Sequence, residues 1–339
     1  MPNWRKTLLT IGISTCLLGG ALIATGTATG GINHLLQANH TKYSKKSEDF
    51  SDISALDIDL GNRNLVIEES EDDKTHLTYY QGKEASERIV TSANQGTLKI
   101  QQPRPLPLIT FVWSSGIRSI LNFFDNEGGR STVTLSLPKG TKLSTLKGNS
   151  SLGDVALSGL TVQKLDLSLS AGSLTVKNST ISTGDLSNSL GDVSLSDLTI
   201  QKLDLKLSSG SVTIDNTTIN KGYLSNSLGD INLNKSKLSD STIKLSSGSI
   251  NSQQLTLSGD INIDNSLGDI QLNLVKESLE TLSFDIETSM GSITVPHNFQ
   301  SITGENDEVG SKLKRQLDKS SGKVFVRDSA GSIELSVAE

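Results

Sequence analysis

Four aspartates recur at a regular spacing and are the residues in this sequence best placed to bind a metal ion. Each follows a glycine, and the four are Asp154, Asp192, Asp230 and Asp269. A Ca²⁺ ion takes about six to eight oxygen ligands at about 2.4 Å. A Gly-Ser unit separates each aspartate from the next, so in a stack of β rungs neighbouring carboxylates would lie about 9.6 Å apart. We therefore expect the aspartates to stabilise backbone corners, and the sequence predicts neither a metal site nor a cofactor.

Clustered carboxylates could also cleave a glycan, as they do in some β-helical enzymes. The candidates Asp166 and Asp204 both lie in a Gln-Lys-Leu-Asp-Leu segment that is copied along the chain. A catalytic site is used once, whereas a structural solution is repeated from unit to unit. We therefore expect no enzymatic activity. A glycan-active enzyme of the cell envelope is the alternative function.

Other nucleophiles and ligands are equally dispersed. A serine stands two residues before each repeated glycine, but every such serine would need its own general base to act as a nucleophile. The histidines are scattered, at His34, His40, His76 and His297. The sole cysteine, Cys16, lies in an apolar N-terminal stretch, which excludes disulfides and Cys–Zn sites from the rest of the chain.

The elements that must position these residues form one tandem array. Its motif is Ser-x-Gly-[Asp/Ser]-[Val/Leu/Ile], and the first five intervals between motif glycines are 19 residues. The motif glycines are Gly153, Gly172, Gly191, Gly210, Gly229, Gly248, Gly268, Gly291 and Gly331. Gly-Asp and Gly-Ser units alternate, and residues 151–188 match residues 189–226 at 26 of 38 positions, which indicates a duplication. Such a period is typical of repeats that bury a core only when stacked.

Apolar residues recur at fixed positions around each motif glycine. From Gly172 to Gly291, Leu or Ile stands five residues before the glycine. Val, Leu or Ile stands two residues after every motif glycine and, except after Gly248, also four residues after it. A period of two is typical of β-strands. The apolar residues lie at odd offsets before the glycine and at even offsets after it, which predicts a corner at the glycine. The sequence therefore predicts an all-β chain, a single-chain β-solenoid or parallel β-helix of about 19 residues per rung, with right-handed winding favoured.

Two further columns alternate in antiphase. The column three residues before the glycine reads Leu169, Asn188, Leu207, Asn226, Leu245 and Asn265. The column one residue before it reads Ala171, Leu190, Ser209, Leu228, Ser247 and Leu267. We expect the leucines of both columns to face inward, so that a large residue packs beside a small one. The asparagines could either donate hydrogen bonds to the turn backbone from inside or lie at the bend itself.

Composition divides the chain into five segments. Residues 1–6 are expected to form a cytoplasmic stub and residues 7–31 a transmembrane signal anchor, because residues 8–24 are apolar or small and about 20 such residues span a bilayer. A cleaved signal peptide is the alternative, with Gly26-Thr27-Ala28 as its cleavage site. The remaining segments are a polar stalk (32–50), irregular N-terminal rungs with a cap (51–147), and the repetitive solenoid (148–339) with a loop over 298–319.

An insert over residues 103–130 departs from the array. Its apolar residues fall at helical spacing and form the candidate interaction site Trp113, Ile117, Ile120, Leu121 and Phe124. Two interpretations remain open. The helix could cover the first rung as a cap, or it could contact lipid or a membrane partner.

The charge of the chain limits its partners. The formal net charge is −6, and residues 148–300 contain 16 Asp or Glu and 9 Lys, a local charge of −7. Such a surface repels phosphate backbones, so we expect no nucleic-acid binding. The expected partners are the lipid bilayer, through the N-terminal helix, and an unknown protein or envelope glycan.

The run Val-Thr-Leu-Ser-Leu-Pro-Lys-Gly at residues 133–140, followed by repeated Ser-x-Gly-Asp-[Val/Ile] units, resembles the DUF4097 family of adhesin-like proteins. The resemblance covers about residues 51–337 and implies a bacterial membrane segment followed by a β-helical outer domain. It also implies adhesion or envelope-stress sensing, without defined catalytic residues. The expected location is the cell membrane, with a single span and an extracellular C-terminal domain, or secretion if the N-terminal segment is cleaved.

Overall fold

The structure is a computed structural model that describes residues 43–82, 87–103, 131–297, 299, 303–307 and 310–338. From Ser44 onward these residues form one compact unit built almost entirely of β-strands. Within this part of the chain, no helix combines the length and the apolar character that crossing a membrane requires. The predicted cytoplasmic stub and transmembrane anchor lie outside the described residues.

The described residues up to Leu137 form seven strands that close one end of this unit. They are β1 (Ser44–Phe50), β2 (Ala55–Leu60), β3 (Asn64–Glu69), β4 (Thr75–Gln81), β5 (Val90–Asn94), β6 (Thr97–Gln101) and β7 (Thr132–Leu137). β2 pairs in parallel with β6, and β3 pairs in parallel with β7. Three antiparallel pairs, β1 with β4, β4 with β7 and β5 with β6, cover this end. Covered edges protect a sheet from pairing with another chain.

The end of the predicted stalk is part of the sheet. The sequence predicts a polar stalk over residues 32–50, whereas residues 44–50 form β1. Its side chains hold it to the neighbouring strands, because Glu48 accepts hydrogen bonds from the hydroxyls of Tyr79 and Thr91. The polar composition that predicted a stalk therefore suits an exposed edge strand.

The repeats form twelve strands that stack in parallel. They are β8 (Lys142–Ser150), β9 (Val155–Ser158), β10 (Thr161–Ala171), β11 (Leu174–Leu190), β12 (Val193–Ser209), β13 (Val212–Asp215), β14 (Thr218–Ile219), β15 (Gly222–Leu228), β16 (Ile231–Asn234), β17 (Lys237–Ser247), β18 (Ile250–Asn265) and β19 (Ile270–Leu274). Equivalent residues of successive rungs lie side by side: Leu186 pairs with Leu205, and Leu205 pairs with Leu224. All three are 1% exposed. The prediction of an all-β, β-solenoid-like chain with inward apolar columns is confirmed.

The C-terminal part does not stack in chain order. Its elements are α1 (Lys276–Thr281), β20 (Ser283–Thr288), β21 (Ile293–Thr294), β22 (Thr303–Asp307), β23 (Gly310–Arg315), β24 (Lys323–Asp328) and β25 (Ile333–Val337). β24 pairs in parallel with β18 on one side and β20 on the other. β25 lies in the same way between β19 and β21. The rung made by the end of the chain is therefore inserted between the last repeat and the β20–β21 rung.

The segment predicted to loop out over residues 298–319 contains a β-hairpin. β22 and β23 pair in antiparallel fashion, and β23 pairs in the same way with β20. Two lysines of this segment lie opposite acidic residues of β20: Lys312 pairs with Glu287, and Lys314 pairs with Asp285. Such cross-strand pairs stabilise a sheet, so alternating charge indicates an edge hairpin here.

Candidate interaction edge

The backbone turns at the motif glycines, and seven of the nine, all except Gly153 and Gly331, have a positive φ that other residues rarely adopt. At Gly210, φ is +134°, and a Cβ built there would overlap the carbonyl oxygen of Gly191 on the preceding rung. The amides of seven motif glycines also donate a hydrogen bond to the next rung, as in the 2.9 Å hydrogen bond from Gly210 N to Leu228 O. The corners are therefore stacked in direct backbone contact, and the edge that they form is rigid.

Buried asparagines stabilise these corners from inside. Asn226 is 2% exposed, and its Nδ2 donates to the carbonyl oxygens of Gly210, at 2.8 Å, and Gly229, at 3.3 Å. Asn188 and Asn265 bond in the same way to the glycine carbonyls of their own pairs of rungs. One amide thus serves two rungs, so an asparagine is needed only on every second rung. This explains why the repeat is 38 residues long, two rungs of 19. The asparagines thus donate hydrogen bonds to the turn backbone from inside.

The repeated aspartates stabilise the same corners from outside. Asp192 Oδ1 accepts a hydrogen bond from the backbone N–H of Ser211 on the next rung, at 2.8 Å. Asp154, Asp230 and Asp269 accept equivalent bonds from Ser173, Ser249 and Ser332. The expected corner role is confirmed. In the described residues, no group of three or more His, Cys, Asp or Glu side chains is placed to hold a metal ion.

The leucines one residue before the glycine point outward, and the prediction that they lie inside is wrong. The exposed fractions are 68% for Leu152, 58% for Leu190, 55% for Leu228 and 56% for Leu267. The bend begins at this residue, so the last inward position is three residues before the glycine. The proposed packing of large against small residues inside the solenoid therefore does not occur.

The same column continues into the irregular C-terminal rungs. Gly268 N donates to Ala330 O, and Gly331 N donates to Met290 O, so Ala330 and then Met290 follow Leu267 in space. Met290 is 59% exposed. The complete column alternates large and small residues: Leu152, Ala171, Leu190, Ser209, Leu228, Ser247, Leu267, Ala330, Met290. We call it the leucine edge.

Duplication alone does not explain this alternation. Ala330 and Met290 belong to rungs outside the 38-residue repeat, and they occupy the stack in the reverse of their chain order. The corner bonds do not require leucine either, since Ala or Ser occupies the column on the intervening rungs. Of the seven large apolar side chains exposed in the described residues, five lie on this edge. Exposed apolar residues concentrated in this way mark a contact surface.

A polar cleft lies near the C-terminal rungs. It has a volume of about 590 Å³, and its lining includes Gln254, Gln271, Asn273 and Glu334. Glu334 is the one carboxylate among its described lining residues, whereas glycoside hydrolysis usually requires a pair. The cleft has amides suited to hydroxyl groups but lacks the paired acid and base that would make it a candidate catalytic site.

The interaction residues predicted from the sequence, Trp113, Ile117, Ile120, Leu121 and Phe124, lie outside the described residues. Sequence reasoning missed the leucine edge because it assigned that column to the core. One signal could have identified it: serine occupies the column on alternate rungs, and a buried column tolerates an unpaired hydroxyl poorly.

Three solved structures resemble this chain. One is a "putative cell adhesion protein" from Clostridium sporogenes, with 13% identity, a TM-score of 0.26 and coverage of 87% of this chain and 100% of that chain. The second is a "putative adhesin" from Bacteroides fragilis, with 16% identity, a TM-score of 0.39 and coverage of 86% of this chain and 97% of that chain. The third is a "putative lipid binding protein" from Parabacteroides distasonis, with 12% identity, a TM-score of 0.43 and coverage of 86% of this chain and 96% of that chain. No curated protein sequence matches. The model of the family described as Toastrack DUF4097 matches residues 53–336. The stacked rungs and this match over most of the sequence establish that the chain belongs to the Toastrack DUF4097 family.

Proposed function

We propose that this protein acts at the bacterial cell surface by binding, and that the leucine edge is its contact surface. The observation that carries the proposal is the row of five large apolar side chains, each more than half exposed, on one rigid line of corners. The protein is not proposed to be an enzyme. Its binding serves adhesion or the sensing of envelope stress, as the resemblance to the family implies.

Energetics support a binding role for this edge. Full burial of a leucine side chain contributes about 1.5–3 kcal/mol relative to leaving it exposed. The corners are held by Asn226 from inside and Asp192 from outside, so the side chains are carried on a backbone that is already ordered. A preorganised surface loses little conformational entropy on binding, and more of the burial energy therefore appears as affinity.

The proposed location rests on the N-terminal segment. Arg5 and Lys6 precede the apolar residues 8–24, which favours a cytoplasmic N-terminus and an anchored chain. The outer domain then begins at β1 and lies on the outer side of the membrane.

Beads that carry the full-length chain provide the test, with bead retention on intact bacteria measured by flow cytometry. One culture produces the protein and the other lacks it, and retention by either supports a binding role. We expect the double variant Leu190→Ser/Leu228→Ser to reduce retention at least about tenfold, because each leucine contributes more than about 1 kcal/mol when buried. Val90→Ser/Val337→Ser is the matched control, since both valines are exposed but lie off the edge. Equal retention of the edge variant and the wild type would refute the proposal.

A further inference from the structure

We infer that the leucine edge recognises a second copy of this chain, which docks antiparallel so that each leucine enters a gap between two large side chains of its partner. This inference rests on the proposed function, because it names the partner of the same surface. Small residues make the gaps: Ala171, Ser209, Ser247 and Ala330 are only partly exposed and separate the large side chains. The edge therefore has projections and recesses of one spacing.

The spacing selects the partner. Large side chains repeat every second rung, about 9.6 Å, and recesses lie midway between them. An extended strand presents one face about every 6.8 Å, and seven residues of an α-helix rise about 10.5 Å. Either mismatch grows along the edge, and a lipid surface has no fixed period at all. A second copy has the same rung spacing and the same two-rung period, so its edge matches without accumulating error.

An antiparallel arrangement places every leucine opposite a recess. A two-fold axis across the stack reverses the order of the rungs, and an isologous contact then pairs each residue in both directions. Four pairs form: Leu152 with Ala330, Leu190 with Ser247, Leu228 with Ser209, and Leu267 with Ala171. This register uses all four leucines of each copy. In a parallel face-to-face arrangement without stagger, leucine would meet leucine instead.

The area fits a weak, specific contact. The eight paired rungs, each about 4.8 Å deep, extend over about 38 Å, and a contact about 15 Å wide would bury roughly 1,200 Å² in total, the lower end of specific interfaces. Many such contacts between two surfaces act together through multivalency. The reversal also places the exposed aspartates of both copies, such as Asp192, on the same flank of the contact. Their repulsion is screened by salt, so association should strengthen as the salt concentration rises.

Cysteine crosslinking of the full-length chain tests the register. In a Cys16→Ser background, Leu152→Cys and Ala330→Cys lie seven rungs apart in one chain, about 34 Å, which is too far for an internal disulfide. Across the antiparallel contact, they are neighbours. We expect mild oxidation to convert the double variant to covalent dimers, while each single variant stays monomeric. A monomeric double variant, or single variants that dimerise as readily, would overturn the inference.

A gap-filling variant separates specific docking from general adhesion of an apolar edge. Ser209→Leu fills the recess that receives Leu228, so crosslinking through positions 152 and 330 should fall at least tenfold. Adding Leu228→Ser restores the complementary pair at unchanged overall composition, and crosslinking should return. Unchanged or increased crosslinking of Ser209→Leu would contradict the inference, provided that its thermal unfolding matches the parent. If beads bind cells that lack the protein but no dimers form, this inference fails and the proposed function stands.

Discussion

At the scale of single residues, the corner glycines are limited by two separate constraints. Gly210 combines a φ of +134° with close approach to Gly191 O, whereas Gly140 has a φ of +79° and no neighbour within 4 Å of an added Cβ. We expect Gly210→Ala to lower the free energy of unfolding by about 2–5 kcal/mol, from strain and overlap together. Gly140→Ala should cost about 1–2 kcal/mol from backbone conformation alone. Denaturant unfolding measures both, and equal effects would show that the overlap is relieved at no cost.

Asp328 occupies the inward asparagine column of the inserted rung, where it pairs with Asn265. It is 3% exposed, and its Oδ2 is buried without a hydrogen-bond partner. Burial raises the pKa of this carboxyl, and Asp269 raises it further. A carboxyl whose folded pKa is raised favours the fold when protonated, so its contribution is lost as pH rises. We expect Asp328→Asn to raise the free energy of unfolding at neutral pH by about 1–3 kcal/mol. Denaturant unfolding at acidic and neutral pH measures this gain, which should shrink at acidic pH; a constant difference would contradict this account.

At the scale of elements, β1 is attached by a pH-sensitive contact. His76 Nδ1 lies 2.8 Å from Asp49 Oδ1, and His76 Nε2 lies 2.8 Å from Asp72 Oδ1. Only protonated imidazole can donate to both. The hydrogen bond to Asp49, followed by that to Asp72, raises the pKa of His76 above its usual 6.5. The hydrogen bond from His76 is the main reason that the pKa of Asp72 falls from 3.8 to about 2.

The opposite directions of the two pKa shifts define a pH range in which this contact stabilises the fold most. The histidine contribution is complete below its unfolded pKa of about 6.5 and is lost as pH rises through the raised value. The aspartate contribution is complete above about 3.8 and is lost as pH falls through about 2. Wild type should therefore exceed His76→Gln in melting temperature most between about pH 4 and about pH 6.5. Thermal unfolding across pH measures the difference, with His297→Gln as the control. A difference that stays constant up to about pH 9 would exclude this contact as the cause.

Two leucines on neighbouring rungs show the difference between a core position and a position on the leucine edge. Leu205 is 1% exposed, and Leu190 is 58% exposed. Leu205→Ala should lower the free energy of unfolding by about 2–5 kcal/mol, because it leaves a cavity between Leu186 and Leu224. Leu190→Ala should change it by less than about 0.5 kcal/mol. Denaturant unfolding measures both variants, and comparable losses would place Leu190 in the core after all.

Element by element, the sequence predicts the regular rungs well because their columns repeat. The strand rungs and the inward column of Leu205 both follow from the repeated alternation of apolar residues. The leucine edge could not be assigned from the alternation of inward and outward residues. The bend begins before the glycine, so the residue one before it points outward although strict alternation would place it inside. The edge strand β1 was missed for a different reason. It is attached through side-chain hydrogen bonds to residues distant in sequence, and a polar segment shows no sign of them.

At the scale of the whole molecule, the orientation across the membrane remains a prediction. In a Cys16→Ser background, Leu190→Cys provides one exposed thiol on the leucine edge. Intact cells that produce this variant should react with a membrane-impermeant maleimide, because the outer domain is expected outside. Leu205→Cys, which is buried, should react only after unfolding. Reaction of Leu190→Cys only after permeabilisation would place the rungs on the cytoplasmic side.

The inserted C-terminal rung determines when folding can be completed. Rungs up to β18 and β19 can form in the order in which the chain emerges, since each pairs with the one before it. β20 and β21 must then wait, because β24 and β25 lie between them and the finished rungs. A chain cut before Lys323 therefore leaves two unpaired edges facing each other, and unpaired edges invite aggregation. The fold is therefore completed only after β24 and β25 have been synthesised, and chains truncated before Lys323 expose unpaired strand edges to proteases and chaperones.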